Sequence, residues 1–480
     1  MEILVVGSTP YEGVRRRQQQ VARGLARAGH RVVHLDPPVA VRALLGTSPS
    51  ALEDPPPLPA DAHAGPAHET GHEAANGAAP GAAAGDVAAR IEQLAAQAES
   101  NPERLLGPPE SPAGAHAVQI GRAAAWQAQE RLAVARRGIA LAGMGRWGWA
   151  SRAGWKLWGV YTRALIRQLQ SPPPDGAGER FQPDVTLVYH PALLPAVRAV
   201  TTAPVVFDCV EDFPALATSR SIASAYEDAL TAGIPIADGF VAVNRYILGS
   251  WGRLLRADVP SAVIEHGVDL EVFCRADRAA RARARAQLEI DDALPVAAYL
   301  GRVDARLSFE DLERILDVEP RLLLLLLGEV AAEGAAILQR LPAERVRHIG
   351  PLRQPDAAQL LAAADLLLIP FRREPELESI RGLKLYEYLA TGLPVVASFR
   401  RGMKAFRELI ELYTTWPEME AALGTALAED DAAPARNVRV AAAREAGWER
   451  RGDEMEAFLH RVVASGPGKR AASRNDNPAN

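Results

Sequence analysis

Short apolar runs alternate with amphipathic stretches of helical period through most of the chain. It opens on "ILVVG", passes through "RRRQQQVARGLARAG" and returns to an apolar run in "HRVVHLD", a strand–helix–strand opening. The rhythm resumes at "PDVTLVYH" and "APVVFDCVEDF", with a helix near 220–235, then "ADGFVAVN" and "PSAVIEHGVDLEVF". After an Arg-rich helix come "LPVAAYLGRVDAR", "RLLLLLLGEV", "VRHIGPLRQPDAAQLLAAADLLLIPF" and "GLKLYEYLATGLPVV". Strand then helix, repeated in two blocks, predicts an α/β fold with a parallel sheet in each half and ligand loops at the carboxyl ends of the strands.

Between the opening and the resumption the pattern fails. Residues from about 48 to 86 are rich in Ala, Gly, Pro, Asp and His, a composition unable to build a core, and a flexible excursion is expected there. Helical segments follow from about 87 to 170, with Trp147, Trp149, Trp155, Trp158 and Tyr161 set among Arg146, Arg152, Lys156, Arg163 and Arg167. Such a stretch suits either helices packed on the first domain or an interfacial membrane element. The expected domains are 1–272, with an insertion at about 40–180, and 273–435, followed by a helical segment 436–465 and a disordered tail 466–480.

Composition narrows the classes. A chain of 480 residues with a formal net charge of -5 is no general nucleic-acid binder, and two cysteines make no disulfide framework. The opening lacks the basic flank and apolar length of a signal peptide, and the six-leucine run at 322–327 is too short to span a bilayer. A cytoplasmic protein is expected. The first loop, "STPYEG", has no G-x-G-x-x-G, which argues against a dinucleotide cofactor. The histidines and cysteines show no metal-ligand spacing, so no metal is expected.

Single residues stand out against this frame. In "GLKLYEYLATGLPVV", Leu385, Tyr388 and Leu389 share one helical face, Gly392 is a stop signal, and Lys384 and Glu387 fall together on another face. Alone, they read equally as a solvated i,i+3 pair. Glu211 and Asp212 lie just beyond an apolar strand; a carboxylate there suits a general base, or Asp212 could cap a helix before Pro214. Asp208 is a weaker candidate of the same kind. His190 ends another strand, and Arg15, Arg16 and Arg17 follow the first loop, as phosphate ligands or as a solvated face.

The run from "HIGPLRQPDAAQLLAAADLLLIPF" into "GLKLYEYLATGLPVV" resembles the C-terminal half of GT-B-type glycosyltransferases, including the retaining group. Shared features are a Gly-Pro turn, a helix ending in Ala-Asp, a strand ending in proline, and a Glu-bearing helix before G-x-P-V-V. "ARGLARAGHRV" and "IEHGVDLEVF" are similar to segments of the same enzymes, with His266 in place of the usual Asn and Gly267 read as a turn residue. "VVFDCVEDF" and "LKLYEYL" look most like the teichuronic-acid and xanthan-type polysaccharide branch.

The resemblance implies two Rossmann-like domains facing a cleft and a nucleotide-diphosphate sugar donor, UDP-linked, held by the second domain. Transfer would go to a glycan or lipid-linked acceptor in cell-surface polysaccharide synthesis, with peripheral contact at the inner membrane face through the Trp/Arg insertion. It implies that Lys384, at a helix N-terminus, and Arg302 meet the diphosphate and that Glu387 binds the ribose hydroxyls. The family's further lysine falls on Ser308, leaving Arg306 or Lys384 to supply that charge. A second family glutamate falls on Ser379, beside Glu378, and Glu211 or Asp212 takes the base position of inverting relatives. No resident cofactor is implied, because the nucleotide sugar is a substrate. Two rivals share these features: a nucleotide-sugar epimerase of the same fold, and a non-catalytic nucleotide-sugar-binding partner in polysaccharide assembly.

Overall fold

The computed structural model describes residues 1–9, 16–37, 132–135, 148–171, 180–217, 219–274, 277–374, 377, 383–430 and 432–466. They fall into two compact units: one runs to Glu265 and takes up the chain again from Arg451, and the other is His266–Arg450.

The first unit is built on a seven-stranded sheet of β1 (Glu2–Val6), β2 (Arg31–Leu35), β3 (Leu132–Ala135), β4 (Val185–Val188), β5 (Val205–Cys209), β6 (Gly239–Ala242) and β7 (Ser261–Val263), in the order β3-β2-β1-β4-β5-β6-β7. Every pairing is parallel. Strands buried on both faces explain why their sequences are runs of Val, Leu and Ile instead of alternations. The helix Arg17–Arg27 presses Val21, Ala22 and Leu25 into one face.

That same face is completed from the far end of the sequence. The helix Trp448–Ala464 contributes Met455, Phe458, Leu459 and Val462 to the core that holds Val21, Leu25 and Val206. Gly24 and Gly452 meet with only 3.3 Å between a Cβ built on the first and the Cα of the second, so the two helices touch backbone to backbone. This corrects the expected boundaries. The division falls at Glu265/His266, not 272/273, and the segment expected as 436–465 divides: the helix Pro434–Arg444 belongs to the second unit, whereas the chain from Arg451 returns to the first. Apolar spacing in the last helix shows that it is buried but not against what.

The insertion also needs correction. β3 lies inside the stretch read as insertion, yet it is the edge strand of the sheet, paired with β2 from Val32↔Leu132 to Leu35↔Ala135. The helix Gly148–Gln170 sits in the core, with Trp158, Tyr161 and Leu165 buried. Trp155 packs on the rings of His190 at 5.1 Å and Tyr226 at 4.7 Å. Packing, the first of the two readings of this stretch, is therefore where Trp155 and Trp158 are used. The side chains of Trp147 and Trp149, the segment of about 48–86 and the tail beyond 466 lie outside the described residues. Among the described residues no helix is long and apolar enough to cross a membrane.

The second unit repeats the plan with β8 (Val296–Leu300), β9 (Leu323–Leu327), β10 (Val346–Ile349), β11 (Leu366–Ile369), β12 (Val395–Ser398) and β13 (Glu411–Tyr413), ordered β10-β9-β8-β11-β12-β13 and parallel throughout. The leucines of β9 are all buried. The helix Leu383–Thr391 ends as its sequence dictates: Gly392 takes a φ of 76°, and the Thr391 hydroxyl accepts from Leu393 N at 3.2 Å.

Ser308 is the N-cap of the helix Phe309–Val318, its hydroxyl accepting from Asp311 N at 3.2 Å. That is a reason for serine where the resembling family has lysine. Ser308→Ala should cost about 1 kcal/mol, read as a lower midpoint of urea unfolding; an unchanged midpoint would remove the capping role.

Candidate functional site: the carboxyl edge of the second sheet

In a doubly wound sheet, ligands bind beyond the carboxyl ends of the strands where the order reverses, here between β8 and β11. Three strands, β8, β9 and β10, each run directly into a glycine at that edge: Gly301, Gly328 and Gly350, with φ of 141°, 142° and 149°. These angles are closed to ordinary side chains. The glycines are also stacked, because Gly301 N donates to Leu327 O at 2.8 Å and Gly328 N donates to Ile349 O at 2.8 Å. A Cβ on Gly328 would run into the Gly301 carbonyl, and one on Gly350 into the Gly328 carbonyl. The product is a stair of bare backbone that a flat or anionic ligand can approach closely.

Lys384 closes one side of the stair. Its Nζ lies 2.6 Å from where a Gly301 Cβ would stand, donates to Tyr299 Oη at 2.8 Å, and sits 4.0 Å and 4.7 Å from the ring centroids of Tyr299 and Phe371. The Tyr299 hydroxyl spends its proton on Arg302 O at 3.0 Å, so it can only accept from the lysine. No carboxylate among the described residues pairs with this ammonium. Burial pushes its pKa down to about 7, Arg306 adds to the fall, and Glu387 opposes it.

Glu387 stands one turn further along. Its Oε1 accepts from Gln354 Nε2 at 2.9 Å, and burial pushes its pKa up to about 7 against the pull of Gln354 and Lys384. The i,i+3 surface pair is not what forms: Lys384 turns to Tyr299 and Glu387 to Gln354.

The remaining expected donor residues are less committed to this edge. Arg306 is held by Asp304 in a two-toothed pair, with contacts of 2.9 Å and 2.6 Å, and the bonds from Arg306 hold the Asp304 carboxyl below its ordinary value despite burial. Its charge is thus half answered before any ligand arrives. Arg302 is exposed, 3.9 Å from an equally exposed Glu329, and free to swing. Ser379 lies outside the described residues, as does Glu378.

In the first unit the carboxylates separate by role. Asp208 is fully buried and pairs with Arg17 Nε at 2.8 Å, while Arg17 Nη1 donates to Glu265 O at 2.8 Å. Arg17 is thereby buried and held by two bonds, with its Nη2 left without a partner among the described residues, so it is no part of a solvated face. Asp212 accepts from Trp251 Nε1 at 3.3 Å and heads the turn in which Leu216 N donates to Asp212 O at 3.1 Å. Partial burial raises its pKa. The capping alternative is therefore present in the structure, as a turn and not a helix. Glu211 beside it is exposed.

His190 is enclosed by Trp155, Trp158, Phe213 and Tyr226, and burial lowers its pKa to about 3, so it stays neutral and structural. Gly267 has its reason corrected: its φ is not positive, and the demand is space, because a Cβ would stand 2.7 Å from the Trp448 ring.

One grouping was invisible in the sequence. His30, Glu456 and His460 come within 4.8 Å of one another, a set that could hold a metal. Yet the Met1 ammonium lies 3.2 Å from His30 Nδ1, which must then accept, leaving Nε2 to carry the proton toward Glu456 at 2.9 Å.

Residues 295–428 match the family model described as glycosyl transferases group 1. Over that span the chain is similar to the group 1 glycosyl transferases. Its curated relatives include the D-inositol 3-phosphate glycosyltransferase of Mycobacterium sp. strain KMS, 33% identical over 149 residues, 29% of this chain and 32% of that one. Another is the enzyme of the same name from Kribbella flavida, 32% identical over 157 residues, 29% of this chain and 35% of that one. The alignments thus span about a third of the relatives' length. Among solved structures, the sucrose-phosphate synthase of Thermosynechococcus elongatus superposes with a TM-score of 0.62 at 16% identity, covering 97% of this chain and 100% of that one. Anabaena HepE, solved in complex with UDP-glucose, gives 0.59 at 14%, covering 96% and 99%. The fold is GT-B.

The matched span 295–428 holds every residue expected to meet a donor and excludes Glu211 and Asp212. Three of its residues were missed by sequence reasoning. Tyr299 and Phe371 lie in apolar runs where nothing sets an aromatic apart. Gln354, before Pro355, carries only a helix-start signal.

Proposed function

We propose that the protein is a glycosyltransferase that takes a sugar from a nucleotide-diphosphate donor, UDP-linked, and passes it to a glycan or lipid-linked acceptor in cell-surface polysaccharide synthesis. The observation that carries this reading is the desolvated, unpaired Lys384 ammonium beside the glycine stair of the span similar to group 1 glycosyl transferases. A diphosphate would give that charge the partner it lacks and could lie against backbone with no side chain in the way. Glu387 would take the ribose diol, and Arg302 could swing onto the phosphates, with Arg306 and Ser379 as further donor contacts. UDP is favoured because HepE, a neighbour in fold, was solved with UDP-glucose. The location we propose is the cytoplasm, at the inner membrane face, which fractionation with and without a high-salt wash tests.

A thermal-shift screen with UDP, GDP, ADP and dTDP tests the donor site. One nucleotide should stabilise the wild type and fail to stabilise the Lys384→Ala, Glu387→Ala double variant; no shift with any of them would sink the assignment. Product analysis with and without acceptor then separates transfer from epimerisation and from binding alone.

In this proposal side chains neutralise the diphosphate, so EDTA should leave turnover within about twofold of its starting value; a larger loss restored by a divalent cation would overturn that part. If the reaction inverts, Asp212 is the better base of the two acids, since its carboxyl is already shifted toward the useful range. Asp212→Asn should then lower kcat by about 10²–10⁴ with donor affinity unchanged. Equal kcat in both proteins would exclude the role.

A further inference from the structure

We propose that Gln354 is a positioning residue that aims the Glu387 carboxylate at the vicinal hydroxyls of a ribose and sets the preference for ribonucleotides over deoxyribonucleotides. The inference rests on the donor-site reading above and names a residue that reading does not use.

An ionised carboxylate offers about four acceptor positions. Among the described residues the half-buried Glu387 accepts a single hydrogen bond, from Gln354 Nε2 to Oε1 at 2.9 Å, which leaves Oε2 open to a ligand or to water. Two hydroxyl donors on adjacent carbons fit what remains on Oε2 and on the free side of Oε1. The identity of the donor matters. A lysine or arginine at 354 would orient the carboxylate but cancel its charge; an amide fixes its plane and leaves the charge for the ligand.

Gln354 is itself well held. It is the first residue of the helix Gln354–Leu361, which is anchored by buried Ala357, Leu360 and Leu361. The turn is pinned by Arg353 and Asp356, whose side chains meet at 2.8 Å. Glu387 sits on a different helix, Leu383–Thr391, so the contact joins two rigid elements across 33 residues of sequence. A carboxylate aimed by a fixed donor loses no further rotamer freedom when ligand arrives.

The test measures binding of UDP and of 2′,3′-dideoxy-UDP to the full-length wild type and to Gln354→Met, which keeps the length of the side chain and removes the donor. Wild type should prefer UDP by about tenfold or more, since a site built for hydroxyls rejects an analogue lacking them. Gln354→Met should narrow that ratio to about threefold or less while binding the dideoxy compound as the wild type does.

A variant that keeps the full ratio overturns the role of Gln354 and leaves the donor site standing. A variant that weakens both nucleotides equally assigns Gln354 to structure and also overturns it. A wild type that fails to bind UDP, or does not distinguish the two compounds, removes the ribose assignment of Glu387 and the role of Gln354 together.

Discussion

Replacing Lys384 by methionine is expected to raise the thermal midpoint of the protein and cut transfer at least a hundredfold. The two effects have one cause. In the free protein the ammonium is desolvated, has a neutral hydroxyl as its hydrogen-bond partner, and lies near the guanidinium groups of Arg306 and Arg400. Methionine fills a similar volume against Tyr299 and Phe371 without that penalty, a gain of about 1 kcal/mol. With donor bound, the same desolvation makes the charge effective against the diphosphate, and losing one such contact costs about 10²–10³ in rate. Calorimetry and initial rates on the same preparation check both signs. A variant that loses stability along with activity would show Lys384 to be a structural residue, and one that keeps activity would remove it from the site.

Transfer should also be confined to a narrow band around neutrality, with kcat/KM falling about tenfold per pH unit on both sides. Donor binding as proposed needs Lys384 charged and Glu387 ionised, and both titrate in the free protein at about 7. Acid removes the carboxylate and base removes the ammonium.

The same groups make stability without ligand depend on pH in the opposite sense. Glu387 moves up from an ordinary 4.5, so between 4.5 and 7 the folded chain holds more protons than the unfolded one and stability falls as pH rises. Lys384 moves down from 10.5, so between 7 and 10.5 the folded chain holds fewer and stability rises with pH. The contribution of the pair is therefore least near pH 7. Bound UDP should fill that dip by charging both groups, so the thermal shift on adding UDP should be largest there. A flat profile of kcat/KM from pH 6 to 8 would contradict the assignment.

The parallel sheets were legible in the sequence because fully buried strands leave runs such as "RLLLLLLGEV" and "DLLLIPF" that periodicity detects without knowing the partners. Lys384 and Glu387 were legible for a similar reason: one helix start and one apolar face place them. What each would touch was not. Tyr299 is 85 residues from Lys384, Gln354 is 33 from Glu387, and Arg17 is 191 from Asp208. No local pattern distinguishes a buried arginine paired across such a gap from a solvated one. The tryptophans around Trp155 looked interfacial in sequence because aromatic and basic residues side by side describe a membrane surface and the rim of a core equally well.

The return of the last helix to the first unit bears on the order in which the protein is made. The core in which Val21 and Leu25 of the helix Arg17–Arg27 meet Val206 of the first sheet stays open until Met455, Phe458 and Leu459 arrive. On the ribosome that happens only after all of His266–Arg450 has been synthesised. The second unit, whose sheet is continuous in the chain, can close first. The unit begun earliest is finished last, and until then its apolar face is what a chaperone would meet.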